Sequence, residues 1–333
     1  MYKRQRLTYQ WYRETTKISG ATSPTYAPTS ADLGQRLRVA VTGAATGLVG
    51  TLRKVSAYTA QVTRSNFTSA PTPLVTVTAR TDQVLTGDPG IWGPAPVTLA
   101  YQWQRDGANI SGATALTYQL TPADVGHYVR LRVRGSKPDY ATKYRYSASR
   151  WVSKASFATT PTPAIVGTPA VGNRLTSNVG TWDPTPSSFR YQWYRDATAI
   201  DGATSSGYTL TRYDRGHTIK VRVRAYRSGY DRKTVYSAAT ATIQAGTLTA
   251  PIPSITGSAA VGSTLLGTAG TWGPGSVTLS YRWFRDGLAI TGASSTTYRV
   301  VSADVGHALT FTVTGSKSGY TTTSRTSDPL AVA

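Results

Sequence analysis

The chain has three histidines, His127, His217 and His307, and each follows an aspartate (Asp124, Asp214, Asp304) by three positions. Serine and threonine are abundant. Such a pair sketches nucleophilic hydrolysis, in which histidine takes the proton of a hydroxyl and a carboxylate orients the ring. The unit would have to occur three times, and Gln35 stands where a fourth histidine would follow Asp32. A metal centre needs convergent ligands, but these histidines lie in separate stretches and there is no cysteine to join them. Calcium needs clustered oxygens. The aspartates come singly and are expected to hydrogen-bond the backbone of their own turns. Glycoside hydrolysis needs paired carboxylates, and Glu14 is the one glutamate. These readings leave no catalytic residue, no metal ligand and no cofactor, so the chain is expected not to be an enzyme.

The arrangement that remains is cationic. Arg130, Arg132 and Arg134 occupy alternate positions, and Lys220, Arg222 and Arg224 repeat the pattern; Thr310, Thr312 and Thr314 stand there in a later copy. On a strand, alternate residues share one face about 6.6 Å apart, a regular ladder suited to phosphates along a polymer. Gln102, Gln104, Gln192 and Tyr194 should lie beside it. The competing reading is a solvated face kept soluble by like charge. The formal net charge of +21 favours an anionic partner, a cell-wall polymer or glycan. Solubility and arginine-rich codon usage explain it equally well. Nucleic acid is disfavoured, because neither stacking aromatics nor a groove-reading element is arranged for it.

The elements that must position these residues come from a repeat. Trp11, Trp103, Trp193 and Trp283 recur about every 90 residues, the size of a small domain rather than a solenoid unit. Trp92, Trp182 and Trp272 each precede a partner by eleven residues. They are expected to cap a sandwich edge, and Trp103, Trp193 and Trp283 to be core. Trp151 has no repeat equivalent and reads as edge-strand packing. Pro71-Thr-Pro73, Pro161-Thr-Pro163 and Pro251-Ile-Pro253 open the later repeats and read as stiff spacers. Boundaries are expected at 1–66, 67–156, 157–246 and 247–333. Within each repeat the apolar period is two: Val129, Leu131 and Val133 alternate with Tyr128, Arg130, Arg132 and Arg134. About seven short strands per repeat, with a tryptophan on the third, predict an all-β fold, a tandem array of four sandwiches. Without cysteine, the cores are expected to rest on apolar burial alone.

The motif Tyr191-Gln-Trp-Tyr-Arg-Asp196, with Ile200-x-Gly-Ala203, Asp-x-Gly corners and Ser228-Gly-Tyr230, resembles the immunoglobulin-like repeats of actinobacterial secreted and surface proteins. The resemblance covers nearly the whole chain. It implies immunoglobulin-like sandwiches acting as a stalk; the first, which has no Pro-x-Pro opening and begins directly at Leu7-x-Tyr9-x-Trp11, is expected to be short at its N-terminus. Such arrays accompany cell-wall hydrolases, peptidases or adhesins, and the resemblance transfers none of those activities. The antibody-type tyrosine corner is not expected, because alternation turns Tyr128 outward. The opening Met1-Tyr2-Lys3-Arg4-Gln5 resembles a translated sequencing adapter, which would make the chain a fragment of an environmental assembly. No run is apolar and long enough for a membrane span. The expectation is therefore a monomeric, secreted or cell-surface spacer. Its alternatives are an adhesive module for an anionic wall polymer and an accessory region of a hydrolase.

Overall fold

Period-two alternation produces antiparallel sheets with one apolar face throughout the computed structural model, which describes residues 5–45, 49–76 and 78–333. Met1–Arg4, on which the adapter reading rests, lie outside the described residues. Contacts divide the chain into two compact units, Met1–Ala155 and Ser156–Ala333. In the first unit, residues up to Val55 form one four-stranded sheet, ordered Thr16–Lys17, Gln5–Arg13, Leu37–Ala45, Leu52–Val55. The next repeat has two sheets. Leu74–Thr76, Val84–Asp88 and Thr117–Gln119 make a three-stranded one. The other runs Lys143–Tyr146, Tyr128–Ser136, Thr98–Arg105, Ala108–Asn109, with Arg150–Trp151 pairing on Tyr128–Val129. The second unit repeats this plan twice, with Ser188–Arg195 and Thr278–Arg285 as the third strands and Ile219–Tyr226 and Ala308–Ser316 as the sixth, the counterparts of Tyr128–Ser136; the added edge pairing recurs only in the last repeat, as Leu330–Ala331. The chain is thus all-β, a tandem array of immunoglobulin-like β-sandwich domains.

The parity expected from sequence holds. Trp103, Trp193 and Trp283 are fully buried, as are Val129, Leu131, Val133, Ile219, Val221, Val223, Leu309, Phe311 and Val313. Each core indole donates Nε1–H to a carbonyl, that of Ala115, Ser205 or Ser295, so burial leaves no donor unmet. Trp11 makes the same kind of bond to Ser23 but is only half-buried, since the described residues around it form a single sheet. Trp92, Trp182 and Trp272 are also buried. Trp92 and Trp272 lie flat on Gly135 and Gly315, where a Cβ would have no room. The short fourth strand folds straight back on the third because Asp106 and Gly107 (φ 47° and 86°) give the doubly left-handed two-residue turn that hairpins prefer. It therefore joins the sheet carrying Trp103, unlike constant-type antibody domains.

The Pro-x-Pro segments do not act as free spacers. Pro73, Pro163 and Pro253 are buried within their own repeats. Pro71, Pro161 and Pro251 pack so closely on Gly90, Gly180 and Gly270 that a Cβ there would fall 2.6, 2.9 and 2.7 Å from the ring. The connecting residues are held elsewhere. Ser65 N donates to Asp139 O and Ser65 O accepts from Ala141 N, both at 2.9 Å. In the second unit, Gly246 N donates to Gly319 O at 3.0 Å and Gly246 O accepts from Thr321 N at 2.9 Å. This is the work of the recurrent tyrosine turn at Tyr140 and Tyr320.

Apolar burial is not the only thing holding the cores. Asp32, Asp124, Asp214 and Asp304 are completely buried. Asp124 accepts from Thr121 N (2.8 Å), Thr121 Oγ1 (2.9 Å) and Tyr118 Oη (2.9 Å), and from Arg105 Nε (2.8 Å) and Nη2 (2.6 Å). The turn bonds expected from sequence are present, but the stronger partner is an arginine nineteen residues upstream. Burial alone would raise the Asp124 carboxyl; the Thr121 N–H, Arg105, the Thr121 hydroxyl and Tyr118 outweigh it and hold the group below its ordinary value. Asp124→Ala strips five donors of their acceptor. Because Arg105 still reaches water, we expect a loss of about 3 kcal/mol, the low end for breaking a buried pair. Thermal unfolding would measure it; a loss under about 1 kcal/mol would mean that the corner is incidental.

Candidate functional site

The outward face of the sheet that carries Trp103 is where the cations gather. Pairing places Arg130 opposite Gln104, Arg132 opposite Gln102 and Arg134 opposite Ala100. The next strand sets Tyr146 beside Arg132 and Tyr144 beside Arg134. Arg130 Nε donates to Gln104 Oε1 at 2.9 Å, and its guanidinium lies 4.5 Å from the Tyr146 ring centre. Arg132 lies 5.5 Å from the ring of Tyr144. Two of the three guanidinium groups of the ladder are thus held over tyrosine rings, a geometry that stabilises cations and fixes their forks. Gln102 does lie alongside, but its amide donates to Trp103 O and Ile110 O, tying the strand to the following loop. Gln104 is almost fully buried beneath Arg130.

In the next repeat Lys220, Arg222 and Arg224 face Tyr194, Gln192 and Arg190. Arg222 sits 5.7 Å from the Tyr194 ring. Two arginines directly opposite one another repel, yet Arg190 and Arg224 are paired in register, and the buried Arg224 Nε has no hydrogen-bond partner. The Tyr226 phenol nearby is held below its ordinary value. Burial raises it, but the guanidinium groups of Arg232, Arg190 and Arg224 outweigh that. In the last repeat cross-strand hydroxyls satisfy one another: Thr312 with Thr326 at 2.8 Å and Thr314 with Ser324 at 2.7 Å.

Near one end of each basic face lies a shallow cleft. One, of about 570 Å³, is lined by Asp106, Gly107, Tyr128, Arg130 and Ser149. Its counterpart in the next repeat, about 490 Å³, has Asp196, Lys220 and Tyr236 among its lining residues. Trp151 packs edge-on against Tyr128 at 5.1 Å, and both are half exposed, so the edge strand presents an aromatic pair to solvent. Tyr144, Tyr146 and Tyr236 were missed from sequence. Their alternation was visible, but which arginine each meets depends on register.

The histidines do not join the corner aspartates. His127, His217 and His307 pair through Nδ1 with Asp106, Asp196 and Asp286, at 2.5, 2.7 and 2.5 Å. Each aspartate also accepts the N–H that follows the histidine, from Tyr128, Thr218 or Ala308. The pair staples the hairpin turn to the start of the sixth strand. Among the described residues no group of three His, Asp or Glu side chains converges as metal ligands would.

No family model and no curated protein matches the chain. Solved structures similar to it are multidomain. The D1–D4 ectodomain fragment of ICAM-5 is 13% identical, with 89% of this chain and 83% of that one covered and a TM-score of 0.29. Three N-terminal domains of the bacteriophage RB49 highly immunogenic outer capsid protein are 14% identical, with 78% and 98% covered and a TM-score of 0.22. Extracellular domains 3–5 of Drosophila OTK are 14% identical, with 80% and 97% covered and a TM-score of 0.20. Likenesses at these scores carry no argument about what the chain does.

The staple has a pH signature. The Thr218 N–H is the largest influence on Asp196, followed by His217 and the Thr218 hydroxyl, and together they lower its carboxyl from 3.8 to about 2. A carboxyl depressed by folding adds stability above its unfolded value, and that contribution is lost as pH falls from 3.8 to about 2. A carboxyl-detected NMR titration should show Asp196 ionised down to that range. His217→Ala should raise the midpoint only in part, because the backbone donor remains; an unchanged midpoint would show that the imidazole contributes nothing.

Proposed function

We propose that the chain is a non-catalytic, extracellular array of immunoglobulin-like repeats, with boundaries at 66/67, 156/157 and 246/247, serving as a spacer within a secreted or surface protein. One observation carries this reading: the groups that could do chemistry are bound into the fold. The corner aspartates are clamped by Arg13, Arg105, Arg195 and Arg285, and the histidines by hairpin aspartates. The extracellular setting rests on the motif resemblance. No described helix is long and apolar enough to cross a membrane.

A second reading is favoured by the ladder. Arg130, Arg132 and Arg134 share one outward face in the second repeat and Lys220, Arg222 and Arg224 the matching face in the third, and an anionic cell-wall polymer laid along either would neutralise like charges that otherwise repel. Binding of this kind releases counterions, so affinity falls with salt, with a log–log slope of close to 0.7–0.9 per contact for nucleic acid. The test replaces all six by threonine, the residue that occupies three of the same positions in the last repeat, where it suits a strand surface. Purified walls should retain the parent at low salt and release it when their anionic polymer is stripped. The sextuple variant should fold, bind weakly and show a flat salt slope. Equal retention of parent and variant would leave the spacer reading alone.

A further inference from the structure

The basic face of the third repeat contains an arrangement that charge alone does not require. Arg190, on the third strand, is the exact cross-strand partner of Arg224, on the sixth. Neighbouring copies avoid this pairing: Arg134 faces Ala100, and Thr314 faces Ser280. Arg232, just before the edge strand Lys233–Tyr236, adds a third guanidinium, where the neighbouring repeats have Thr142 and Thr322. Like charges set opposite one another in a sheet are destabilising, and an orphaned buried N–H adds a desolvation cost. Arg224 Nε is such an orphan. Arg190 stays in place with its guanidinium 5.4 Å from the Tyr226 ring. An oxyanion seated among the three would offset the repulsion between them, since guanidinium forks match its oxygens.

We propose that Arg190, Arg224 and Arg232, with the Tyr226 hydroxyl at their edge, form a binding site for one phosphate group of a polyol-phosphate chain. This deepens the polyanion reading and rests on it: the ladder of Lys220 and Arg222 continues from Arg224 and would guide the polymer into the site. A base-bearing polymer fits less well. The ring at the site, Tyr226, already has the Arg190 guanidinium over one face, which competes with a base for stacking there.

The experiment uses the whole chain and three probes: a glycerol-phosphate oligomer, inorganic phosphate and a single-stranded thymidine oligomer of equal charge. Binding is followed by calorimetry and by phosphorus NMR. Arg190→Ala with Arg232→Thr gives the third repeat the residues of the second, which folds with them, and unchanged thermal unfolding confirms that the variant is intact. The proposal expects this variant to bind the glycerol-phosphate oligomer at least about tenfold more weakly, the effect of losing charge-assisted contacts. Arg130→Thr, Arg132→Thr and Arg134→Thr together should leave that site filled. The Tyr226 phenol should also titrate higher in the double variant, toward its ordinary 10.0, because two of its cationic neighbours are gone. If the double variant binds like the parent while the triple variant loses binding, the site is overturned and the ladder stands. If no probe binds, both fall. Preference for the thymidine oligomer, or for free phosphate over the oligomer, overturns the assignment to a polyol-phosphate chain.

Discussion

A buried carboxylate organises each repeat. Asp124 lies in a single turn, Pro122–Asp124, yet it gathers the start of that turn, the tyrosine of the preceding strand and the arginine that ends the third strand. The two sheets of the repeat are thereby tied at one corner by charge as well as by apolar contact. Asp214 and Asp304 do the same with Arg195 and Arg285, and Asp32 holds Arg13 of the first repeat's single sheet in the same way. In the last repeat Val301 stands where the others have threonine, and the aspartate keeps the backbone donor while losing the hydroxyl. A buried charge is tolerated only when its oxygens are satisfied. The arginine, the tyrosine and the turn are therefore required together, and they recur together.

Once that corner is fixed, the two faces of the larger sheet part ways. Inward, Val129, Leu131 and Val133 close on Trp103 without any exposure. Outward, nothing in the fold dictates what the same strand carries, and the repeats diverge: arginines over tyrosines, arginine against arginine, or threonines bonded to one another. Cores repeat because packing selects them, whereas an open face varies at little cost to stability. The face is where repeats of one fold can differ in what they meet.

The junctions follow a similar division. Proline pairs that read as spacers are packed inside their repeats, the first of each pair against a glycine whose missing Cβ leaves space for the ring. The hold on a connecting residue comes instead from a turn far along the chain, Tyr140 on Ser65 and Tyr320 on Gly246. Gly246 is small for a reason: a Cβ there would lie 2.5 Å from Val171 O.

The sequence by itself determined the repeat, the all-β class, the core tryptophans and the outward direction of the arginines. Each of these is a local property, since side chains on a strand alternate faces whatever the strand pairs with. It also held an unread signal for the corner, because Arg13, Arg105, Arg195 and Arg285 recur as faithfully as the aspartates they clamp. The tertiary structure decided every pairing. It joined His127 to Asp106 rather than Asp124, covered Arg130 and Arg132 with tyrosines, and set Arg190 against Arg224. Such partners are fixed by strand register, and register is set by the fit of whole sheets around a core, which no single stretch of residues contains.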